Sequence, residues 1–190
     1  MDETLPWSAW SLEPAACALL CDRVRAGYCE VVECGSGVST VLLARALRDA
    51  GGGMLHSLEH DPAWAARVRG LLEREGLDGI ATVIEAPLRP HPLARSRCGW
   101  YAGEALRRLP GSDIDLLLVD GPPASEPGLG EARYPALPAL ADRLATEAVV
   151  ALDDVNRPGE AAVLAAWEAE TPYRFDRVGG TRLALGSRSV

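Results

Sequence analysis

Apolar residues recur along this chain in two alternating spacings, one typical of helices and the other typical of short buried strands. In residues 13–25 they fall on one side of a helix. Residues 29–34 form a short apolar run bounded by Gly27 and Gly35, which indicates a buried strand. The helical spacing returns in residues 39–47. The chain therefore begins as helix, strand, glycine turn and helix.

The same alternation continues to the end of the chain. We predict further strands over 54–58, 80–85, 114–119 and 148–152, and further helices over 62–76, 101–109, 133–144 and 159–170. Asp61 is the predicted N-cap of the helix that begins at Pro62. Two final runs, 173–177 and 181–185, joined by two glycines, predict a hairpin. The pattern predicts an α/β fold with a mostly parallel seven-stranded sheet, helices on both faces and an antiparallel edge hairpin.

Length and composition favour one soluble domain. A chain of 190 residues, 48% of them hydrophobic, can bury one core, so we expect a single domain over residues 1–190, with residues 1–27 as a helical lead-in. No apolar run approaches the roughly 20 residues that cross a bilayer, and the acidic start does not resemble a signal peptide. We expect a cytoplasmic protein without a membrane partner. Its basic residues are all arginine, which suggests a GC-rich, bacterial genome.

Net charge limits the classes of binding partner, and cysteine content limits the kinds of disulfide or metal site. A net charge of −8 disfavours nucleic acid, because phosphate binding requires a basic face, so a small-molecule substrate is expected. Five cysteines are an odd number, and their spacing suggests neither a disulfide framework nor a zinc site. We expect buried free thiols. The oligomeric state stays open, a homodimer included.

The turn after the first strand is the first place to look for a ligand, because open α/β sheets bind ligands at the carboxyl ends of their strands. Gly35 and Gly37 allow a ligand to approach the backbone closely, and the next helix presents unpaired N–H groups near Ser39 and Thr40. Alone, this turn is weak evidence for a ligand, since a tight turn needed only for packing also explains it.

Two acidic residues favour a ligand of a particular kind. Glu33 ends the first strand, and we expect its charge to face the mouth of the turn, where it would oppose a pyrophosphate but suit an ammonium group. Glu59 ends the second strand, about 20 residues further on, where an acid accepts hydrogen bonds from ribose hydroxyls. The third glycine of the dinucleotide fingerprint is missing. A nucleoside with a cationic tail is therefore favoured over NAD.

Residues 33–40, which read ECGSGVST, resemble motif I of the class I S-adenosylmethionine-dependent methyltransferases, and residues 57–64, SLEHDPAW, resemble their acidic loop. The resemblance extends from about Trp7 to Leu185, and within this family the chain resembles the small bacterial O-methyltransferases. It implies a Rossmann-like three-layer sandwich with sheet order 3-2-1-4-5-7-6, and S-adenosylmethionine as cofactor. The implied cofactor-binding residues are Glu33, Gly35, Ser36, Gly37, Ser39, Thr40, Glu59, Ala86 and Asp120.

The chain departs from the family after the third strand. Many relatives place an acidic residue there to bond the adenine amino group, whereas this chain reads EAPL over residues 85–88. We expect Glu85 to point into the sheet, so the backbone around Ala86 is the expected adenine contact.

Three acidic residues mark the expected reaction site, because Asp120 follows the fourth strand and Asp153 and Asp154 follow the fifth. Carboxylates gathered at neighbouring strand ends need a cation, a proton or an arginine among them. The arrangement is similar to that of the metal-dependent O-methyltransferases, which implies Mg²⁺ held by Asp120, Asp153 and Asp154. In the simpler alternative Asp120 caps a turn and Asp154 pairs with Arg157 or Arg133.

The metal and Asp120 define two versions of the chemistry. With Mg²⁺, the ion lowers the pKa of an acceptor hydroxyl and orients it. Without a metal, Asp120 is the catalytic general base. The sequence favours the metal version.

Residues 87–108 overhang the same strand ends and contain several arginines beside two aromatic residues. They predict a substrate lid, although a solvated arginine-rich loop explains the same pattern. The candidate substrate-binding residues are Trp100, Tyr101, Arg133 and Arg157. Trp7 and Trp10 can fold back over the cofactor, but packing against the first helix is the simpler expectation.

The favoured function is methyl transfer from S-adenosylmethionine to a small-molecule hydroxyl. One alternative is an N-methyltransferase acting on an amino acid or a protein side chain. A second alternative is a non-catalytic module that only binds S-adenosylmethionine. The DGPP sequence over residues 120–123 lacks the Asn/Asp-Pro-Pro-aromatic tetrapeptide of nucleic-acid amino-methylating enzymes, which disfavours a base as acceptor.

Overall fold

The apolar runs become the strands of a central sheet in the computed structural model, which describes Trp7 and residues 10–189. Most of the strands that form it were predicted within one or two residues. The strands are β1 (Glu30–Cys34), β2 (Met54–Glu59), β3 (Ala81–Glu85), β4 (Leu88–Arg89), β5 (Trp100–Tyr101), β6 (Ile114–Val119), β7 (Leu144–Leu152), β8 (Tyr173–Arg177) and β9 (Ala184–Arg188).

Helices connect the strands and cover the sheet. They are α1 (Pro14–Arg25), α2 (Val38–Asp49), α3 (Pro62–Arg74), α4 (Gly103–Leu106), α5 (Ala136–Leu140) and α6 (Pro158–Glu170). The predicted N-cap of α3 is confirmed, because the Asp61 carboxylate accepts hydrogen bonds from the N–H groups of Ala63 at 2.8 Å and Trp64 at 3.2 Å.

The seven long strands form one sheet in the order β3-β2-β1-β6-β7-β9-β8. The first five strands in this order, from β3 through β2, β1 and β6 to β7, pair in parallel with their neighbours. Strand β9 pairs antiparallel with both β7 and β8. The remaining strands, β4 and β5, form a separate antiparallel ribbon. Leaving that ribbon aside, the order is 3-2-1-4-5-7-6, so the predicted topology and edge hairpin are confirmed.

Four predicted elements differ from the structure by more than two residues, and the first is the fifth strand, which was predicted over 148–152 and spans Leu144–Leu152 as β7. The predicted helix over 133–144 is reduced to α5 and a 3₁₀ turn over Ala141–Arg143. Its start is delayed because Pro135 disfavours helical backbone in the residue before it, and its end is cut short because β7 already begins at Leu144. The predicted helix over 101–109 is the single turn α4, since Trp100–Tyr101 pairs with β4 instead. The last strand begins at residue 184 rather than 181.

Apolar side chains pack on both faces of the sheet. One cluster lies under α1, α2 and α3, and the other lies under α4, α5 and α6. None of the helices in the described part of the chain is long and apolar enough to cross a membrane. The five cysteines are free thiols; three are buried as expected, whereas Cys98 is half-buried and Cys29 is exposed. The sheet is thus a rigid platform, and its loops meet at the carboxyl ends of the parallel strands.

Candidate functional site

Two adjoining cavities lie at the carboxyl ends of the central strands, which is where the sequence placed the cofactor. Their volumes are about 380 Å³ and 230 Å³, within the range of small-molecule sites when taken together. The larger one is lined by Ser36, Gly37, Val38 and Ser39, and the smaller one by Gly35, Glu59, Gly121, Arg133 and Asp154, among others. Both cavities share Trp10, Ser36, Trp64 and Asp120.

Glycine brings the loops after β1 and β6 together. Gly35 has a φ of +94°, and a Cβ atom there would lie 3.1 Å from the backbone nitrogen of Gly121. A Cβ atom at Gly121 would in turn lie 2.9 Å from the Cα of Gly35. The two loops therefore approach closely only because neither residue carries a side chain. Their contact places Asp120 beside the glycine turn that follows β1.

Gly37 lies in open space, unlike Gly35. Its backbone is extended, with a φ of 172°, and a Cβ atom built on it would meet nothing within 4 Å. Neither the backbone conformation nor packing therefore demands glycine at the start of α2. The open space in front of Gly37 belongs to the larger cavity, which is what a ligand pressed against this turn would need.

Glu33 does not face the mouth of the turn, so this expectation from the sequence is wrong. Its side chain is fully buried, and its carboxylate accepts hydrogen bonds from the hydroxyl groups of Ser39, Thr40 at 2.6 Å and Ser57 at 2.7 Å. Burial raises its pKa to about 7, although the three hydroxyls counteract part of that rise. Glu33 holds the start of α2 against β1 and β2 rather than presenting a charge to a ligand.

Glu59 is placed at the cavity as predicted, and its carboxylate ties the acidic loop to the glycine turn. It accepts hydrogen bonds from the N–H of Ser36 at 3.0 Å, the Ser36 hydroxyl at 2.9 Å and the N–H of Asp61 at 2.9 Å. His60 Nδ1 lies 2.9 Å from it. Burial alone would raise the pKa of Glu59, but these hydrogen bonds lower it overall. The hydrogen bond to Glu59 in turn raises the pKa of His60.

Two tryptophans that the sequence did not assign to the site form part of its walls. Trp64 donates from Nε1 to the carbonyl of Ser36 at 2.8 Å, which fixes its ring beside the turn. Trp10 is 70% exposed and lines both cavities, so it folds over the site instead of packing away from it. The signal for Trp64 was present, since it closes the acidic-loop motif.

The segment after β3 differs from its expected arrangement. Glu85 does not point into the sheet, because its side chain is 49% exposed and pairs with Arg69. Ala86 is fully buried, and its N–H donates to the carbonyl of Glu59 at 2.7 Å. The backbone of Ala86 therefore braces the loop that carries Glu59.

Asp120, Asp153 and Asp154 converge as the parallel strands predicted. One oxygen from each carboxylate lies within 4.8 Å of the others. Burial raises the pKa of Asp120 well above its usual range, with Arg133 counteracting the rise. Burial and the neighbouring Asp154 raise the pKa of Asp153 to about 6. Asp154 has a φ of +61°, a left-handed conformation that aspartate tolerates better than most residues.

Arginine side chains enter this acidic cluster, as the simpler reading of the sequence allowed. Arg133 is buried and lies 3.3 Å from Asp120, 3.2 Å from Asp154 and 3.7 Å from Glu160. Arg157 lies 2.7 Å from Asp154 at the rim. Burial lowers the pKa of Arg133, but the carboxylates around it raise it overall. Glu160 was not predicted, although its position three residues after Arg157 on α6 was a usable signal.

A third arginine, Arg182, completes the cluster. Arg182 lies 3.6 Å from Asp154 and 3.8 Å from Asp153. Several carboxylate oxygens are buried without a hydrogen-bond partner among the described residues, namely Oδ1 of Asp153, Oδ1 of Asp154 and both oxygens of Glu160. Of these oxygens, Asp154 Oδ1 lies 3.6 Å from Arg182 and Glu160 Oε1 lies 3.7 Å from Arg133 and from Arg157, distances longer than a hydrogen bond.

Trp100 and Tyr101 do not form an exposed substrate lid, and that expectation is wrong. Both side chains are fully buried on the second core face, with ring centroids 4.7 Å apart. The β4–β5 ribbon turns them inwards, and neither lines the two cavities. The Tyr101 hydroxyl lies behind Gly121, where a Cβ atom would approach it to 2.8 Å. These residues support the site from below.

A family model described as a methyltransferase domain matches residues 32–155. That range includes the glycine turn, Glu59, Asp120 and the two acidic residues after β7. No curated protein matches the chain significantly.

Solved structures with the same fold cover nearly the whole chain. An O-methyltransferase from Bacillus cereus in complex with S-adenosylhomocysteine is 18% identical, with a TM-score of 0.71 over 96% of this chain and 84% of its own. Podospora anserina methyltransferase PaMTH1, bound to S-adenosylhomocysteine, is 16% identical, with a TM-score of 0.73 over 95% and 81%. The O-methyltransferase TomG from Streptomyces achromogenes, in complex with S-adenosylmethionine, is 19% identical, with a TM-score of 0.64 over 95% and 82%. These likenesses show a shared fold.

Proposed function

This chain belongs to the class I S-adenosylmethionine-dependent methyltransferases, and from that premise we propose that its acceptor is a hydroxyl oxygen of a small molecule. The Bacillus and Streptomyces neighbours are both named O-methyltransferases, which supports oxygen as the acceptor atom. The net charge of −8 favours an acceptor that is not a polyanion, since a negative protein repels nucleic acid.

The cavities suit the methyl donor. When bound, S-adenosylmethionine supplies an electrophilic methyl group on a sulfonium sulfur. The backbone of residues 35–37 and the side chain of Glu59 are the groups that would hold it, because they border open space at the start of α2 and in the smaller cavity. The wall formed by Trp64 excludes water from one side of this space.

The observation that carries the proposal is the position of Asp120. Asp120 lines both cavities, so it borders the space for the donor and the space beside it. We infer that Asp120 accepts the proton of the acceptor hydroxyl as the new carbon–oxygen bond forms and the carbon–sulfur bond breaks. Arg133, 3.3 Å away, fixes the orientation of this carboxylate. The rest of the rate enhancement comes from holding the two reactants in line.

A magnesium-assisted version of the reaction is the second candidate, favoured by the convergence of Asp120, Asp153 and Asp154 within 4.8 Å. The guanidinium of Arg133 lies against two of these three carboxylates, so the residues as arranged do not fit a divalent ion. We therefore assign no step of the reaction to a metal.

Calorimetry and a turnover assay test this function together. We expect S-adenosylhomocysteine to bind, and we expect release of S-adenosylhomocysteine from S-adenosylmethionine with at least one member of a panel of phenols, catechols and aliphatic alcohols. Asp120→Asn should lower turnover by about a hundredfold or more, because general-base catalysis contributes that much. The matched control is Asp142→Asn, which changes an exposed aspartate and should leave turnover unchanged.

The other outcomes separate the competing functions. Turnover with amines alone would replace the proposal with N-methylation of an amino acid or a protein side chain. Cofactor binding without turnover across both panels would favour a non-catalytic binding module. Full turnover in Asp120→Asn would show that the reacting oxygen lies elsewhere.

A further inference from the structure

The positive charge at the reaction site is already built into the protein chain. Arg133 is 3% exposed and lies in the smaller cavity with Asp120 and Asp154. Its two terminal nitrogens divide between the carboxylates, with Nη2 3.3 Å from Asp120 Oδ1 and Nη1 3.2 Å from Asp154 Oδ2. The guanidinium therefore bridges the loops that follow β6 and β7, the two loops that a divalent ion would have to bridge.

Backbone carbonyls hold this guanidinium in place. Its nitrogens donate to the carbonyl oxygens of Asp120 at 2.9 Å, Asp153 at 3.2 Å and Pro122 at 3.3 Å. Carbonyl oxygens do not titrate, and these three belong to the loops that carry the carboxylates. Arg133 cannot leave the cluster without abandoning all three buried acceptors, which is costly. The charge is thus a fixed part of the site.

A divalent ion would compete with this charge at close range. Mg²⁺ binds oxygen at about 2.1 Å, so an ion held by Asp120 Oδ1 or Asp154 Oδ2 would lie no more than about 5.4 Å from a guanidinium nitrogen. At that distance inside a protein, like charges repel strongly. The second carboxylate oxygen of Asp154 is no better placed to bind a divalent ion, since Arg182 lies 3.6 Å from it.

Two more arginines compensate the remaining acids. Arg157 contacts Asp154 at 2.7 Å and Glu160 at 3.7 Å, and Arg182 lies 3.8 Å from Asp153. The four carboxylates of the cluster, together with Glu13, which lies 3.5 Å from Arg182, are thereby faced by three guanidinium groups. The need for a positive partner, which made a metal attractive from the sequence, is largely met without one.

We propose that Arg133 is a positioning residue that takes the place of the divalent cation and orients Asp120. Methyl transfer by this enzyme is then independent of metal. The inference rests on the proposed function for its kinetic test, but it also makes a claim about metal binding that needs no acceptor. Both claims follow from the position of one side chain.

The first experiment is a titration of the wild-type protein with Mn²⁺, followed by electron paramagnetic resonance and by calorimetry. We expect no site filled at 1 mM Mn²⁺, with or without S-adenosylhomocysteine. A stoichiometric Mn²⁺ site that disappears in Asp154→Asn would overturn the proposal. Asparagine is the suitable replacement there because it tolerates the φ of +61° at this position. This result stands even when no acceptor has been found, so it separates the inference from the proposed function.

The second experiment compares turnover in EDTA and in Mg²⁺. Wild-type turnover should agree within about twofold in the two conditions, because Arg133 remains in both. Loss of wild-type turnover in EDTA, with recovery in Mg²⁺, would overturn the proposal.

Variants at Arg133 distinguish a role in orienting Asp120 from a purely structural role, because only the first predicts that Mg²⁺ restores turnover. Arg133→Met should lose about a hundredfold in turnover, the usual effect of removing one fixed charge from an active site, and Mg²⁺ should then restore part of it. Affinity for S-adenosylhomocysteine should change much less than turnover, because the hydrogen bonds of Arg133 go to the loops after β6 and β7. Equal loss in EDTA and Mg²⁺ would mean that the side chain acts only in packing, which contradicts the proposal.

Two further variants keep the test interpretable. If Arg133→Met does not fold, Arg133→Lys retains a charge without the two-sided bridge, and it should show a smaller loss with the same partial rescue by Mg²⁺. Absence of rescue in that variant counts against the proposal. The matched control is Arg45→Met, which removes a half-exposed arginine paired with Glu75, away from the cluster, and should show normal turnover in both conditions.

Discussion

The buried carboxylate of Glu33 makes the stability of this protein depend on pH, and Glu33→Gln should remove that dependence. Folding raises its pKa from 4.5 to about 7, mainly because the side chain is taken out of water. An acid whose pKa is raised by folding binds more protons in the native state than in the unfolded state over the interval between the two values. Its contribution is therefore fully present below about pH 4.5 and is lost as the pH rises through 7.

The size of the effect follows from that interval. One pKa unit corresponds to about 1.4 kcal/mol, so a rise from 4.5 to about 7 corresponds to about 3 kcal/mol in total, of which about 2–3 kcal/mol falls between pH 5 and pH 8. Glutamine is neutral at every pH and can still accept hydrogen bonds from the hydroxyls of Thr40 and Ser57. The stability of Glu33→Gln relative to wild type should therefore improve by that amount as the pH rises from 5 to 8.

Urea denaturation at half-unit steps of pH, followed by far-UV circular dichroism, measures this difference directly. Taking the difference between the two proteins cancels the titration of groups that both share. Ser57→Ala supplies a second check, because losing one hydroxyl that stabilises the charged carboxylate should move the transition to higher pH. A flat curve for Glu33→Gln would refute the reasoning and mean that Glu33 is not buried as a titrating acid.

Two predictions concern the cofactor. Gly37→Ala should leave the melting temperature unchanged, since a Cβ atom meets nothing there, and should weaken S-adenosylhomocysteine binding at least tenfold in calorimetry; equal affinity would mean that the open space at Gly37 is not used. Glu59→Ala should weaken the same binding by about 1–3 kcal/mol, because charge-assisted hydrogen bonds are lost; an unchanged dissociation constant would exclude Glu59 from the ribose contact.

The strand order and the convergence of the acidic residues could be predicted from the sequence because both depend on local pattern plus one general rule. Leu116–Val119 is an uninterrupted apolar run between Asp115 and Asp120 and forms most of β6, so the end of this strand is visible in the sequence. Parallel strands end at the same edge of a sheet, so Asp120, Asp153 and Asp154 had to approach one another.

What the sequence could not provide depends on contacts between distant segments. Trp100–Tyr101 sits in an arginine-rich stretch that looks solvated, and only its pairing with Leu88–Arg89 turns the rings inwards. The direction of Glu33 is decided by hydroxyls on α2 and β2, which lie 6 to 24 residues away. Arg133 was recognised as a partner for Asp154, but its bridging position requires the three backbone carbonyls that only the folded loops bring together.

The distribution of the five tryptophans gives this enzyme an intrinsic optical label. Trp100 and Trp167 are fully buried in the core behind the sheet and should emit at short wavelength, shielded from dissolved quenchers. Trp10 is 70% exposed at the mouth of both cavities, so acrylamide should quench it first. A ligand that enters beneath that indole removes it from collisional contact. Fluorescence quenching can therefore report occupancy of the site for any candidate acceptor, without dye, isotope or turnover.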